Sequence, residues 1–248
     1  MKRVIHISTA CAAAALCLLA LPGQAQTFTD NAADPAYASG YGGGQNGGTG
    51  FGPFAVTAIA AGGGTAGTFV FTAAEAEGNL GTPPPATIDS GLKSFGFYAH
   101  GTSSGPGDPI VTITRRFKIP LSRTGDSFAL DFVTGYDDGG ACGVALTSSA
   151  GTVGRFQYQS GGTYLFNNKT VVTGYKTGAL HLVYTLTSPT TYSFTSTGAV
   201  TYSGTGTESG PLTGFQVQQI NASNGKNATA TPDHNGYFNN LILKNTVK

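Results

Sequence analysis

The segment "DSFALDF", residues 126–132, decides the fold of this chain, because its apolar and polar side chains alternate. One face carries Phe128, Leu130 and Phe132, and the other carries Ser127, Ala129 and Asp131. Successive side chains of a β-strand point to opposite sides, so a period of two predicts a strand with one buried face. The face with two phenylalanines and a leucine is therefore predicted to line a hydrophobic core.

The same alternation recurs elsewhere, and stretches rich in Gly, Asn, Ser and Pro separate the segments that show it. These segments are "GTFVFTA" (67–73), "GRFQYQS" (154–160), "GALHLVYTL" (178–186), "TTYSFTS" (190–196) and "TGFQVQQI" (213–220). No amphipathic helix of three turns is evident after the first residues. The pattern predicts an all-β chain, a two-sheet antiparallel β-sandwich of the jelly-roll kind with about a dozen strands.

The first 25 residues have the features of an export signal. Lys2 and Arg3 precede an apolar run at 10–21, and small residues lead up to Ala25. This order predicts a secretory signal peptide, 1–25, that is removed after Ala25. The apolar run is shorter than the roughly 20 residues of a membrane-spanning helix. We therefore expect a secreted, extracellular or cell-surface protein, with residues 26–248 forming a single β-sandwich domain and no membrane span.

Composition limits the classes of partner. Charged residues make up 10% of the 248 residues, and the formal net charge is +1, whereas typical domains contain about 25% charged residues. No basic patch or basic amphipathic helix is present, so nucleic acid and membrane surfaces are not expected partners. After signal removal Cys142 is the one remaining cysteine. We expect it to be a small buried hydrophobe, and no intramolecular disulfide can form.

A glycine-rich stretch, "YGGGQNGGTGFGPF" at 41–54, contains the spacing G-x-G-x-x-G. A dinucleotide-binding loop must open a helix, but the residues that follow, "FAVTAIA", are short and have no helix cap. We interpret 26–54 instead as a glycine-rich N-terminal arm that packs on the sandwich. Its anchoring aromatic residues would be Tyr37, Tyr41, Phe51 and Phe54.

Four segments together resemble a known group of proteins. They are "FTDNAADPAYASGYGGGQNGGTGFGPF" (28–54), "IDSGLKSFGFYAHG" (88–101), "ITRRFKIPLSRTGDSFALDF" (113–132) and "GYFNNLIL" (236–243). Their order is similar to that of secreted bacterial proteins with a concanavalin A-like jelly roll, which often carry a PEP-CTERM sorting anchor. The resemblance implies a surface or matrix protein that binds carbohydrate. The chain ends in "NNLILKNTVK" without such an anchor, so free secretion or noncovalent surface attachment is expected.

Hard oxygen ligands occur near both ends of the chain. In related sandwiches the first and last strands are neighbours, and a calcium ion often bridges them. Asp30, Asp233 and Asn240 could supply carboxylate and amide oxygens to a structural calcium ion. The alternative is that these residues cap turns through local hydrogen bonds to the backbone.

Two segments are candidates for carbohydrate binding, which needs exposed aromatic rings and planar polar groups. The turn "TGYDDGGACG" offers Tyr136, Asp137 and Asp138, although an Asp-Gly hairpin turn explains the same residues. In "KSFGFYAHG", Tyr98 and His100 would project outward together if the phenylalanines face the core.

Arg115 interrupts the apolar side of "PIVTITRRFKIPL", between Ile113 and Phe117. A buried guanidinium must find a carboxylate or reach solvent. Either a bulge shifts the register and the arginine is structural, or Arg115 lines a polar groove and contacts carbohydrate.

Three functions remain open from the sequence. The favoured one is a non-catalytic module that binds an extracellular glycan or matrix component. The second is a structural surface or biofilm protein that associates with itself. The third is a polysaccharide lyase or glycoside hydrolase, for which Arg115, Arg116, His181 and Tyr184 could be assembled into a lyase-like set. The paired-carboxylate pattern Glu-x-Asp-x-x-Glu of jelly-roll hydrolases does not occur.

Overall fold

The protein is built almost entirely of β-strands. The computed structural model describes residues 25–72, 88–101, 107–222 and 234–246. The predicted signal peptide lies outside this part of the chain, apart from Ala25. Within it there is no α-helix, and 3₁₀ structure is limited to Pro35–Tyr37 and residue 234. The prediction of an all-β chain is confirmed.

The strands alternate with turns along the whole described chain. In order they are β1 (Ala25–Asp30), β2 (Phe51–Ile59), β3 (Thr65–Phe71), β4 (Ser94–His100), β5 (Ile110–Leu121), β6 (Ser127–Val133), β7 (Ala141–Ser148), β8 (Gly151–Gln159), β9 (Thr163–Phe166), β10 (Lys169–Thr173), β11 (Leu180–Ser188), β12 (Thr191–Gly198), β13 (Tyr202–Thr207), β14 (Leu212–Ile220) and β15 (Gly236–Thr246). All six segments with a period of two lie on strands.

Two antiparallel sheets stack to form the sandwich. The eight-stranded sheet has the order β13-β12-β11-β6-β15-β4-β3, and β1 pairs with the second half of β15. The seven-stranded sheet has the order β10-β9-β8-β7-β14-β5-β2. Strands distant in sequence lie side by side at the centre of each sheet, β6 with β15 and β5 with β14. The predicted two-sheet jelly roll is confirmed, and the first and last described strands are neighbours.

The core lies between the sheets and is rich in aromatic rings. Phe128, Leu130 and Phe132 of β6 are fully buried, as their alternation predicts. Phe128 stacks on Phe215 of the opposite sheet with ring centroids 4.8 Å apart. Cys142 also lies in this core as a free thiol, and burial raises its pKa well above the ordinary value.

The glycine-rich arm is an integral part of both sheets. Its first residues form β1 in the eight-stranded sheet, and its last residues begin β2 in the seven-stranded sheet. The four aromatic residues proposed as anchors are buried in the main core: Tyr37, Tyr41, Phe51 and Phe54. A strand follows the glycines where a phosphate-binding loop would require a helix.

Gly50 is the arm residue whose replacement we expect to be most harmful. It has a φ of +80°, and a Cβ there would lie 2.4 Å from Cβ of Phe28. Gly44 has a similar φ of +85° but no atom within 4 Å of its would-be Cβ. Gly44→Ala should therefore cost only the left-handed strain, about 1 kcal/mol. Gly50→Ala adds a steric overlap and should cost about 3 kcal/mol or more.

Denaturant unfolding of the two alanine variants, measured side by side, checks this difference. Equal destabilisation by both substitutions would contradict the packing of the arm against β1.

Candidate functional site

Arg115 lies on the inner face of β5. The pairing of β5 with β14 is continuous from Ile110 to Arg116, so no bulge turns the arginine outward. Its exposed fraction is 1%. One register shift lies beyond it, between Leu212 and Gly214 of β14, where Ile119 of β5 is exposed despite its place on the predicted apolar side. A second lies between Phe51 and Phe54 of β2, opposite Phe117 and Arg115, and Arg115 stays on the inner face.

The guanidinium of Arg115 holds the glycine-rich arm in place. It forms a buried ion pair with Asp30, donates from Nε to the carbonyl of Gly52 at 2.8 Å and donates from Nη2 to the carbonyl of Gly47 at 2.8 Å. The guanidinium carbon also lies 4.3 Å from the centroid of the Phe54 ring, a cation–π distance. With solvent excluded, this placement favours the structural alternative for Arg115 over a contact with carbohydrate.

Asp30 does not fit a calcium ligand in this arrangement. One carboxylate oxygen accepts from Arg115 and, at 2.5 Å, from the hydroxyl of Tyr37. The other accepts from the backbone N–H of Asn31 at 2.9 Å. Burial is the main cause that raises the pKa of Tyr37 far above its ordinary value. Because the arginine already neutralises the carboxylate, a second cation at this point would meet repulsion.

Asn240 lines the same open pocket as Asp30, but its side chain is used in other hydrogen bonds. Asn240 donates to Asp131 at 2.7 Å and to the carbonyl of Ile88 at 3.1 Å, and its amide oxygen accepts from Ser90. Asp233 lies outside the described residues. In the described ranges, no three His, Cys, Asp or Glu side chains gather as a metal-binding group.

Tyr98 and His100 lie on the outward side of β4, with ring centroids 5.3 Å apart. Phe95 and Phe97 fill the core side of the same strand. His100 is nonetheless covered, with an exposed fraction of 2%, and its ring lies 6.2 Å from the ring of His234. Only Tyr98 of this pair has partial access to solvent.

The loop between β6 and β7 separates its three candidate residues. Tyr136 is 37% exposed, whereas Asp137 is 1% exposed. One oxygen of Asp137 accepts from the backbone N–H groups of Gly139 and Gly140, at 3.1 and 2.6 Å. Asp137 therefore caps its own turn, whereas the alternative left open from the sequence was an Asp-Gly hairpin turn. Asp138 is partly exposed beside it.

The residues considered for a lyase-like site are not brought together. His181 lies on the outward side of the eight-stranded sheet, where its Nδ1 is 2.7 Å from Asp131. Tyr184 points into the core and donates to the carbonyl of Gly154 at 2.8 Å. Arg115 is buried, and Arg116 lies on the outward side of the other sheet.

A different polar surface is formed by the outward side of the seven-stranded sheet. We call it the polar outer face and define it by Thr112 and Thr114 of β5, Arg155 and Gln157 of β8, and Gln216 and Gln218 of β14. Arg155 donates to the amide oxygens of Gln218 at 3.2 Å and Gln216 at 3.0 Å. Gln218 in turn donates to the hydroxyl of Thr112 at 3.0 Å. The network connects strands β8, β14 and β5.

Small residues on β7 make this network possible. β7 lies between β8 and β14, and its outward residues at this point are Gly143 and Ala145. A Cβ at Gly143 would lie 2.5 Å from Cβ of Gln157. The absence of a large side chain on β7 lets Arg155 reach across that strand to the glutamines.

The sequence analysis missed this surface although it recognised its strands. Gln216 and Gln218 alternate with Phe215 and Val217, and the glutamines of β8 alternate with aromatic residues in the same way. Glutamine and arginine at outward positions were the available signal. The adjacency of β8, β7, β14 and β5 is a property of the tertiary structure and could not be read from the segments alone.

Comparisons with known proteins found distant structural likenesses alone. No family model and no curated protein matches the sequence. An alginate lyase from Corynebacterium sp. is 14% identical over 66% of this chain and 83% of its own, with a TM-score of 0.41.

Two other solved structures are similar to a comparable degree. A carbohydrate esterase of Shiga toxin-encoding bacteriophage phi24B is 12% identical over 77% of this chain and 90% of its own, with a TM-score of 0.42. A mannan-recognising carbohydrate-binding module, TmCBM27, is 11% identical over 64% of this chain and 77% of its own, with a TM-score of 0.30. At such values these likenesses carry no inference about ligand or activity.

Proposed function

We propose that this protein is an exported, non-catalytic β-sandwich module that binds an extracellular glycan through the polar outer face. The observation that carries the proposal is the chain of hydrogen bonds from Arg155 through Gln218 to Thr112. Planar amide and guanidinium groups held in one orientation can exchange hydrogen bonds with sugar hydroxyls at little entropic cost. Export rests on the basic, apolar and small-residue order of residues 1–25.

An apolar row borders the polar outer face and complements it. Ile59, Ile110 and Ile220 are aligned across β2, β5 and β14, one row beyond Thr112 and Gln218. Ile59 is 50% exposed. A sugar ring presents hydroxyls at its edge and C–H groups on its faces, so a polar row beside an apolar row suits both parts of the ring.

Partner classes other than glycan receive no support. No helix among the described residues has the length and apolar character needed to cross a bilayer. The polar outer face has no aromatic side chain among its defining residues. For a glycan the exposed isoleucine row supplies the apolar contact, whereas nucleobases in single-stranded nucleic acid usually stack on aromatic rings.

Removing both glutamines should abolish most glycan binding. In Gln216→Ala/Gln218→Ala the central amides of the network are lost, and we expect affinity for the preferred glycan to fall by about tenfold or more. A glycan array identifies that glycan, and calorimetric titration measures the loss. Thr197→Ala is the matched control, because Thr197 is exposed on the outward side of the other sheet. This variant should bind the glycan with the affinity of the wild type.

Three outcomes would oppose the proposal. Array binding that survives the double substitution would move the site away from the polar outer face. New reducing ends or unsaturated-product absorbance on incubation with polysaccharide would replace binding by catalysis. Concentration-dependent assembly on size exclusion, without array binding, would instead support a self-associating surface protein.

A further inference from the structure

We infer that the glycan bound at the polar outer face is an acidic polysaccharide whose sugar carboxylates contact Arg155 and Arg116. This inference rests on the proposed function and specifies the chemical class of its ligand. It is carried by the distribution of charge between the two sheets and by the unused hydrogen-bonding capacity of Arg155.

The seven-stranded sheet carries basic residues on β5, β8 and β10. Its strands contain no Asp or Glu, and their basic residues are Arg115, Arg116, Lys118, Arg155 and Lys169. Arg115 is buried and paired with Asp30, so the others supply the charge of the outward side and edge. The eight-stranded sheet differs, because Asp131 lies on its outward side beside His181. The charge asymmetry directs an anion to the polar outer face.

Arg155 is a cation held by neutral groups. The ion pairs of the described residues are those of Arg115 with Asp30 and His181 with Asp131, so Arg155 has no carboxylate partner among them. Partial burial lowers the pKa of its guanidinium from the ordinary value, as expected for a cation that has lost water without gaining a counter-charge. An anionic ligand would supply that counter-charge.

The free donors of Arg155 match a carboxylate. A guanidinium has five N–H donors in a fixed plane, and the glutamines of β14 accept from Nη1 and Nη2. The remaining donors have no acceptor within the described ranges. Two parallel N–H groups of such a fork bind the two oxygens of a planar carboxylate with good geometry.

A second basic position lies further along the same face. An open pocket there is lined by Arg116 and Lys118 together with Ser148, Ser149 and Thr213. Arg116 is aligned with Gly214 and Thr147, one outward row beyond Gln216. The backbones of β8 and β5 are three strand spacings apart, about 14 Å, and the side chain of Arg155 extends across β7 to the glutamines of β14. A polymer with repeated acidic sugars can therefore meet both arginines.

The acidic residues that precede β5 and β7 lie at the opposite end of this face, whereas Asp126 and Glu208, near its Arg116 end, are buried and accept from backbone N–H groups. Asp108 precedes β5, and Asp137 and Asp138 precede β7, which places them beyond the isoleucine row rather than beside Arg116. We therefore expect the acidic sugars to lie between Arg155 and Arg116. Uncharged parts of the polysaccharide would contact the isoleucine end of the face.

The test compares polymers that differ only in charge. Polygalacturonate is titrated against the purified full chain beside its methyl ester, which keeps the sugar backbone and removes the carboxylates. We expect polygalacturonate to bind about tenfold tighter or more, with an affinity that falls as salt is raised. Arg155→Ala should remove most of that preference, and Lys244→Ala, an equal loss of charge on the outward side of the other sheet, should retain it.

Further probes separate failure of the inference from failure of the proposed function. Equal binding of both polymers, or preference for neutral glucan or mannan, would leave glycan binding intact and overturn the acidic class. An affinity for dextran sulfate equal to that for polygalacturonate would show that the site does not distinguish carboxylates from sulfates. An equal affinity for polyglutamate would show that the site does not recognise the sugar. No binding to any glycan would overturn both.

Discussion

Asp30→Ala is expected to lower the free energy of unfolding by about 3 to 5 kcal/mol, the range for leaving one member of a buried ion pair without its partner. The guanidinium of Arg115 would remain in the core with its carboxylate gone, and Tyr37 would lose the acceptor of its hydroxyl. Arg115→Ala should cost as much, because the carbonyls of Gly47 and Gly52 lose their donor.

The exposed ion pair provides the matched control. The side chain of His181 is 46% exposed where it meets Asp131, so His181→Ala should cost less than about 1 kcal/mol. Guanidinium unfolding of these variants and of Asp30→Ala/Arg115→Ala completes a double-mutant cycle. We expect the double variant to lose much less stability than the sum of the single losses.

Hydrogen exchange adds a local measure to the same cycle. The backbone N–H groups of Gly47 and Gly48 donate to Tyr37 and Asp34, and both should exchange faster when Arg115 is removed. The ion pair would not hold the arm in place if the single losses of stability add up in the double variant and the amide hydrogens of Gly47 and Gly48 exchange at the wild-type rate.

The stability of the protein should fall as pH rises from 5 to 8, and Asp137 should account for about 3 kcal/mol of that fall. Burial is the main cause that raises the pKa of Asp137 from 3.8 to about 7. One of its oxygens has no hydrogen-bond partner among the described residues, so the charged form is poorly compensated.

The direction of this pH dependence follows from the pH at which the folded and unfolded chains lose the Asp137 proton. The unfolded chain releases the Asp137 proton near pH 3.8, whereas the folded chain holds it until about pH 7. The protonated carboxyl therefore contributes its full stabilisation below pH 3.8. This contribution declines as the pH rises and is lost above about pH 7. The full difference between the two pKa values corresponds to about 4 kcal/mol in the free energy of unfolding.

Asp137→Asn isolates this contribution, because the amide keeps the oxygen that accepts from Gly139 and Gly140. Urea unfolding at each pH from 5 to 8 should give a flatter profile for this variant than for the wild type, and greater stability at pH 8. Asp138→Asn, at the neighbouring position, is the control and should keep most of the wild-type slope, because the charge of Asp138 is the smallest of the causes that act on the pKa of Asp137. Parallel profiles for the wild type and Asp137→Asn would contradict the raised pKa.

The sequence predicted the strands well because alternation is a local property. A strand in a sandwich has one solvent-exposed face and one buried face, and the residue order alone shows which face is apolar. Phe128, Leu130 and Phe132 are therefore buried. The same reasoning identified Arg115 as an anomaly on an apolar side and required that it find a carboxylate or reach solvent.

The candidate site was predicted much less well. Asp30 was a candidate calcium ligand, and Arg115 was left open between a structural role and a contact with carbohydrate; the structure pairs these two side chains with each other across 85 residues of chain. Asp137 was assigned to a ligand, and the structure turns it inward to cap its own loop. A pattern of residues gives the side of a strand, but not the partner that a charged group meets there.

By itself, then, the order of residues determined the class of fold, the burial of the alternating faces and the need to neutralise one arginine, because these depend on neighbours in sequence. Tertiary structure alone decided which carboxylate neutralises that arginine, and that Arg155, Gln216, Gln218 and Thr112 share one surface. The physical reason is that hydrogen bonds between strands join residues far apart in the chain, and the order in which strands pair is set by the packing of the whole core.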